Sequence, residues 1–150
     1  MKHRYEESGF SLIELLTVIG TIGILAAIMT SGFSVYRASA AYAVASSAFH
    51  SARNALEVSL SDADNLPSPV GLETTSGPGG VAAPLRGILP GMQLPKQTKI
   101  SMSYDPACIT DSCTESQITV KHCQAREYVT WSRFGDGVEM LLQHVSGAGC

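Results

Sequence analysis

The sequence contains few charged residues. Only 15% of its 150 residues are charged, against ~25% in typical soluble domains, and ten basic and thirteen acidic residues give a net charge of −3. Nucleic-acid binding through bulk positive charge is therefore not expected, because that mode needs a clustered basic face. The shortage is local: from Phe10 to Met29 the only charged residue is Glu14.

The sequence also lacks the motifs of the common enzyme classes. It has no G-x-S-x-G, no phosphate-binding loop and no H-E-x-x-H, and no nucleophile motif lies near its histidines. We therefore expect neither an enzyme nor a bound cofactor. Asp111, Glu115 and Asp136 lack the spacing of a known calcium loop, so no metal site is predicted.

Cysteine is missing from the first two thirds of the chain, and no C-x2-C pair occurs, which disfavours a structural zinc site. The cysteines lie close together near the C-terminal end, at Cys108, Cys113, Cys123 and Cys150. An even number confined to one small region predicts two disulfides and therefore an oxidising compartment.

The apolar run from Phe10 to Met29 is long enough to cross a membrane as a helix of about 30 Å. Lys2 and Arg4 precede it and predict a cytoplasmic N-terminus, so the rest of the chain is exported. A cleaved secretory signal fits less well. Its apolar core spans roughly 7–15 residues before a small-residue cleavage site.

Glu14 is unusual in such a segment. A carboxylate at that depth costs roughly 2.5–3.5 kcal/mol on insertion scales and usually marks a partner, although a Glu near the interface can also snorkel or take up a proton. If the chain is cut after Gly9, the new amine of Phe10 lies four residues upstream. In a bundle of staggered copies, Glu14 of one copy could pair with the Phe10 amine of its neighbour, which would favour assembly and set the register.

The sequence GFSLIEL (residues 9–15) follows a short polar leader and precedes the apolar run. Over about residues 8–30 this pattern resembles the N-terminal signature of type IV pilins and type II secretion pseudopilins. The resemblance implies that a prepilin peptidase cuts between Gly9 and Phe10 and methylates the Phe10 amine, and that Glu14 is the assembly carboxylate. Ser31 stands where many family members have Pro, so a kink around Gly23–Gly32 is not required.

The helical pattern continues beyond the apolar run. Apolar residues step by threes and fours along an amphipathic seam, which predicts one helix from about Ser11 to Ser61. His50 and Arg53 are expected to point to solvent or to a neighbouring subunit. The seam consists of Val35, Ala38, Tyr42, Ala45, Phe49, Ala52 and Leu56.

Six of the seven prolines lie in residues 61–98, which predicts a long loop with an exposed turn at Glu73–Gly80. Leu85, Ile88 and Leu89 are expected to dock this loop. From Lys99 the apolar period changes to two, which predicts an antiparallel meander on the helix, with Gly135-Asp136-Gly137 as its last turn. The predicted strands are Lys99–Tyr104, Gln117–Cys123, Arg126–Phe134 and Val138–His144, the last with a short helix as its alternative.

These patterns and the resemblance together imply an α+β, pilin-like fold: a long N-terminal helix, transmembrane and then amphipathic, packed on a small antiparallel sheet. Three disulfide pairings are open. We prefer Cys108–Cys113, closing the loop between the first two strands, and Cys123–Cys150, tying the C-terminus to the sheet. The predicted segments are a leader (1–9), a membrane and assembly helix (10–30), an amphipathic helix (31–61), a Pro/Gly-rich loop (62–98) and a disulfide-stapled sheet (99–150).

The leading functional prediction is a structural subunit of a type IV pilus, with other copies of itself and a prepilin peptidase as partners and no nucleic acid. It would wait in the inner membrane with its head in the periplasm and then enter an extracellular pilus. One alternative is a pseudopilin of a type II secretion system. Another is a minor tip pilin that binds DNA or another ligand through dispersed basic residues: Lys96, Lys99, Lys121, Arg126 and Arg133.

Overall fold

The computed structural model describes residues 9–62, 64–108, 110, 113–145 and 150. The chain divides into two units, Met1–Tyr36 and Arg37–Cys150. Helix α1 (Leu12–Leu60) begins in the first unit and ends in the second. It is α-helical throughout, including Gly23–Gly32, which agrees with the absence of a proline there.

The two ends of α1 agree with the predicted limits within one residue. At its start the Leu15 N–H donates to the Ser11 carbonyl at 3.2 Å, which makes Ser11 the N-cap residue. At its end the Ser61 backbone N–H and hydroxyl both donate to the Val58 carbonyl, at 3.3 and 2.7 Å. The last turn therefore tightens, and the helix stops before the proline-rich segment.

In the second unit α1 buries one stripe of its surface. Ala45, Ala52 and Leu56 are fully buried and Phe49 nearly so, at the spacing of three and four residues predicted for the seam. Val35, predicted as the first member, lies in the first unit and is 58% exposed. The amphipathic pattern therefore applies to the part of the helix that belongs to the second unit, Arg37–Cys150, which we call the globular unit or head.

The globular unit contains a five-stranded antiparallel sheet of order β1-β4-β5-β6-β7, while β2 pairs only with β3. The four strands predicted from Lys99 onward are confirmed with shifted ends, and the last is a strand rather than a short helix. The elements after α1 are β1 (Val70–Ser76), β2 (Gly79–Gly80), α2 (Ala83–Arg86), β3 (Gln93–Leu94), β4 (Thr98–Tyr104), β5 (Thr114–His122), β6 (Glu127–Phe134) and β7 (Glu139–Val145).

The segment 62–98, predicted as a loop, contains β1, β2, α2 and β3, so that prediction was wrong in part. Glu73–Gly80 is mainly edge strand rather than an exposed turn, because β1 pairs with β4 from Val70 opposite Tyr104 to Ser76 opposite Lys99. An edge strand needs only one hydrogen-bonded neighbour and has no strict apolar alternation, and β1 has a register shift after Val70.

The core lies between α1 and the sheet and includes part of the proline-rich segment. Strand β4 alternates strictly, with Ile100 and Met102 fully buried, and Trp131 of β6 is 1% exposed. The predicted docking of Leu85, Ile88 and Leu89 is confirmed, since all three are buried in the same cluster. The Ser59 hydroxyl of α1 also donates to the Ile88 carbonyl at 2.7 Å.

A polar cluster connects α1 to the edge of the sheet. Arg53 forms an ion pair with Glu139 of β7, and its guanidinium lies 5.4 Å from the centroid of the Trp131 ring. The Trp131 indole N–H also donates to Glu139 at 3.4 Å. Arg53 is partly exposed, as predicted, but its pairing with a carboxylate 86 residues away in sequence was not predicted.

Two disulfides join Cys108 to Cys113 and Cys123 to Cys150, the pairs preferred from the sequence. The Gly135-Asp136-Gly137 turn connects β6 to β7 as predicted, and Gly137 has a positive φ of 83°. Gly135 packs on the first disulfide loop: a Cβ there would lie 2.8 Å from the Cys108 carbonyl oxygen. Glycine is therefore required at Gly135 by close backbone approach.

Candidate functional site

The candidate site lies at the start of α1, where Glu14 belongs to the first turn. The Ser11 backbone N–H donates to Glu14 Oε2 at 3.0 Å. This bond is one half of a capping box, in which the third helical residue satisfies the N-cap amide. The helix dipole also favours a carboxylate in the first turn. Glu14 thus stabilises the helix start within its own chain.

This capping role was missed in the sequence, although its signal is present. Ser11 and Glu14 have the S-x-x-E spacing that marks a capping box before an apolar run. The capping bond alone does not explain why a carboxylate lies inside the apolar segment. An Asp or a Ser at the start of a helix could satisfy the unpaired backbone N–H groups equally well while lying at the membrane surface.

The surface around Glu14 is apolar, and none of the described residues covers it. The window of highest hydropathy in α1 has a mean hydropathy of 2.3, and none of it is buried. The helix is long and apolar enough to cross a membrane near the N-terminus. Its large side chains, such as Leu12, Ile19 and Ile28, are 60–81% exposed, all round the helix rather than along one stripe. Such a surface is stable in lipid or against other apolar helices.

The hydroxyl groups of this segment are satisfied by the helix itself. Thr17, Thr21 and Thr30 each donate to the carbonyl three residues earlier, at 2.9 Å in all three cases. Polar groups in a lipid or helix-bundle environment need internal partners, since no water is available there. Glu14 is therefore the side chain of the segment whose charge needs a partner from outside the helix.

The proposed cleavage site precedes the helix. Gly9 and Phe10 have no regular secondary structure and are both exposed, Phe10 at 83%. The leader prediction otherwise falls on residues 1–8, outside the described residues. A scissile peptide bond must be accessible to the peptidase, and the Gly9–Phe10 bond lies between two exposed residues outside the helix.

Of the five basic residues predicted as contacts for DNA, four lie near one end of the sheet, where β4 begins and β5 ends, and Arg133 lies near the other end. Lys99 and Lys121 lie directly opposite each other on β4 and β5, and the Lys121 ammonium lies 4.4 Å from the centroid of the Tyr128 ring. Arg133 instead forms an ion pair with Glu115 at 3.4 Å. Lys96 and Arg126 are exposed in loops.

The three acids considered for calcium have separate roles in the part of the chain that is described. Glu115 pairs with Arg133, and Asp136 Oδ1 accepts the Val138 N–H at 2.9 Å inside the β6–β7 turn. Asp111 lies outside the described residues. The described residues bring no three metal-ligating side chains together.

Next to the second disulfide, His122 ends β5 and accepts the Gln124 N–H on its Nδ1 at 3.2 Å. Partial burial lowers the pKa of His122 below its usual 6.5. The imidazole is therefore neutral at physiological pH, which the accepted hydrogen bond also requires. It supports the strand end beside Cys123 and lies in the globular unit.

Comparison with models of known protein families gives no match, and comparison with curated proteins finds no similar sequence. The functional argument therefore depends on the residues and on their geometry.

Proposed function

We propose that this chain is a structural subunit of a type IV pilus filament, held together by packing of the N-terminal parts of α1. In this proposal a prepilin peptidase removes residues 1–9 and methylates Phe10. The subunit waits in the inner membrane with its N-terminus in the cytoplasm and its head in the periplasm. Its role is structural rather than catalytic, and its main partners are other copies of itself.

The observation that carries the proposal is the position of Glu14. It is the only charged residue between Phe10 and Met29, in a helix whose apolar side chains are exposed on every side. An acid placed there costs free energy in lipid, and the cost falls when a cation meets it in the same environment. The amine that cleavage would create at Phe10 is such a cation. If it comes from a neighbouring copy, the pairing also fixes how far one subunit is shifted along the filament axis relative to the next.

The capping bond is compatible with this pairing. The Ser11 N–H occupies one lone pair of Glu14 Oε2, and an ionised carboxylate can accept several hydrogen bonds. Capping also fixes the side chain at the first turn, so less rotamer freedom is lost when a neighbour binds. Glu14→Asp would shorten this reach and weaken both interactions.

The disulfides favour a surface pilin over a pseudopilin. Cys108–Cys113 and Cys123–Cys150 require an oxidising compartment, and such staples suit a small head exposed on a surface filament. A pseudopilin would share the cleavage site and Glu14, so the two are distinguished by finding the chain in filaments sheared from the cell surface.

The test is the filament yield of Glu14→Ala compared with Thr17→Ala. Thr17 lies in the same segment, but its hydroxyl is satisfied by the helix. We expect Glu14→Ala to insert into the membrane at the wild-type level and to lower the yield of sheared filaments at least about tenfold, the effect of ~1.4 kcal/mol per subunit contact. Thr17→Ala should assemble normally. A wild-type yield from Glu14→Ala would contradict the proposed pairing.

A further inference from the structure

A pocket of about 380 Å³ lies in the globular unit, between the C-terminal end of α1 and the inner face of the sheet. Glu57, Leu60 and Ser61 line it from the helix, and Tyr104, Glu115 and Arg133 line it from the sheet. We call it the Tyr104 pocket. Its volume is in the range of small-molecule sites.

Behind the sheet wall of this pocket, one hydroxyl is left without a partner. Ser116 lies directly opposite Tyr104 on one side and Arg133 on the other, so the three side chains share one face. Ser116 is fully buried, and its hydroxyl has no hydrogen-bond partner among the described residues. A buried hydroxyl without a partner costs about 1–3 kcal/mol, and proteins usually tolerate that cost where a function needs it.

Tyr104 lines the pocket with a ring that is almost entirely buried in the core, so it offers a ligand its hydroxyl rather than its ring face. It is 2% exposed and forms part of the wall. Burial, and secondarily the Glu115 carboxylate, raise the pKa of Tyr104 above 10, so its hydroxyl keeps its proton. Leu66 and Pro106 add apolar surface beside the ring.

The charges of the wall select against several ligand classes. Glu115 and Arg133 already pair at 3.4 Å, and Glu57 adds a second carboxylate, so the charged lining has a net charge of −1. An anionic ligand is disfavoured, because the pocket lining has two carboxylates and one guanidinium. A purely apolar ligand would desolvate Glu57 and the Tyr104 hydroxyl without replacing their hydrogen bonds.

We propose that the Tyr104 pocket binds a pyranose ring, a single sugar unit of a glycan. A sugar has apolar C–H faces that can lie against Leu66 and Pro106, and one of its hydroxyls can hydrogen-bond the Tyr104 hydroxyl. It also has adjacent hydroxyls, one of which can donate to Glu115 while the next accepts from Arg133. Glu57 accepts a further hydroxyl or, more strongly, the ammonium of an amino sugar.

The test uses the full chain in polyoxyethylene detergent micelles, which carry no sugar head groups. Saturation-transfer NMR would be recorded with galactose, glucosamine and ethanolamine at millimolar concentrations. We expect signals from both sugars, stronger affinity for glucosamine, and none from ethanolamine. Tyr104→Phe removes only one hydroxyl and should weaken binding about three- to tenfold, as expected for one neutral hydrogen bond.

The matched control is Tyr128→Phe, which removes the same atom from another strand of the sheet, away from the pocket. It should bind both sugars like the wild type. The proposal is overturned if neither sugar gives a signal with the wild type, or if Tyr104→Phe binds as the wild type does. Ethanolamine binding without galactose binding would overturn it too, since it would identify a simple amine site.

Discussion

The two parts of α1 contain similar apolar residues but differ in what covers them. In the globular unit Ala45, Ala52 and Leu56 are fully buried by the sheet and by the segment that contains α2. In the first unit Leu12 and Ile19 are 81% and 60% exposed. One part of the helix finds its partners in its own chain, and the other part needs them from elsewhere.

The comparison teaches which apolar pattern a chain needs to bury a helix on its own sheet and which pattern leaves the helix exposed on all sides. A single apolar stripe is sufficient for a helix that packs on one sheet. An apolar surface on all sides is needed where lipid or several other helices surround it. Glu14 lies in the part of α1 with this second pattern, and in lipid or a helix bundle an unpaired charge there would have its largest effect.

The largest expected effect is on the free energy of unfolding of the head. Leu56→Ala removes a fully buried side chain and should cost about 3–5 kcal/mol through lost burial and a cavity. Ile19→Ala, in the exposed part of the same helix, should leave the head unchanged. Denaturant unfolding of the full chain in micelles, followed by Trp131 fluorescence, measures both. An equal loss of unfolding free energy in Leu56→Ala and Ile19→Ala would contradict the difference drawn between the two parts of α1.

The disulfides should act on the globular unit alone. Replacing Cys123 and Cys150 by Ser opens the longer loop and should lower stability by about 3.5 kcal/mol in the chain-entropy model, against about 2 for Cys108 and Cys113. Neither pair of substitutions should change membrane insertion. The measurement is the unfolding midpoint of each variant beside the fraction recovered in membranes, and a reversed order of the two losses would contradict the assignment.

Two glycines, one in the globular unit and one in the exposed part of α1, should differ in the same way but with a smaller effect on stability. Gly135→Ala would bring a Cβ within 2.8 Å of the Cys108 carbonyl oxygen, and relieving that overlap should cost about 1–3 kcal/mol. Gly20→Ala in the exposed part of α1 meets nothing within 4 Å. Its head should unfold like the wild type. The check is thermal unfolding of both variants, and a neutral Gly135→Ala would mean that the turn does not pack on the first disulfide loop.

The smallest effect concerns pH. Because the pKa of His122 is lowered below 6.5 in the folded state, the unfolded chain binds more protons as the pH falls through 6.5. The stability that the neutral imidazole contributes is present above pH 6.5 and is lost below it. His122→Gln should reduce this slope in a titration of unfolding free energy against pH. If the slope of unfolding free energy against pH is unchanged in His122→Gln, groups other than His122 are responsible for the loss of stability in acid.

Periodicity accounts for what the sequence predicted well. The buried part of α1 and strands β4, β5 and β6 have apolar spacings that indicate one structure, whereas the spacing of β7 also allowed a short helix. Strand β1 could not be predicted, because an edge strand among prolines is defined by its pairing with β4 and not by its own pattern. The Arg53–Glu139 ion pair could not be predicted from the sequence either, because the two residues are brought together only by the tertiary fold. At the candidate site the S-x-x-E spacing predicts the capping bond, whereas the partner proposed for Glu14 would lie on another copy of the chain.

The central claim is that Glu14 meets the liberated amine of Phe10 on an adjoining copy. The most direct measurement is N-terminal mass spectrometry of the chain from the membrane fraction and from sheared surface material. We predict that the mature chain begins at Phe10 and carries one methyl group on its amine. A mature chain that still begins at Met1 would leave Glu14 without that cation and would contradict the filament proposal.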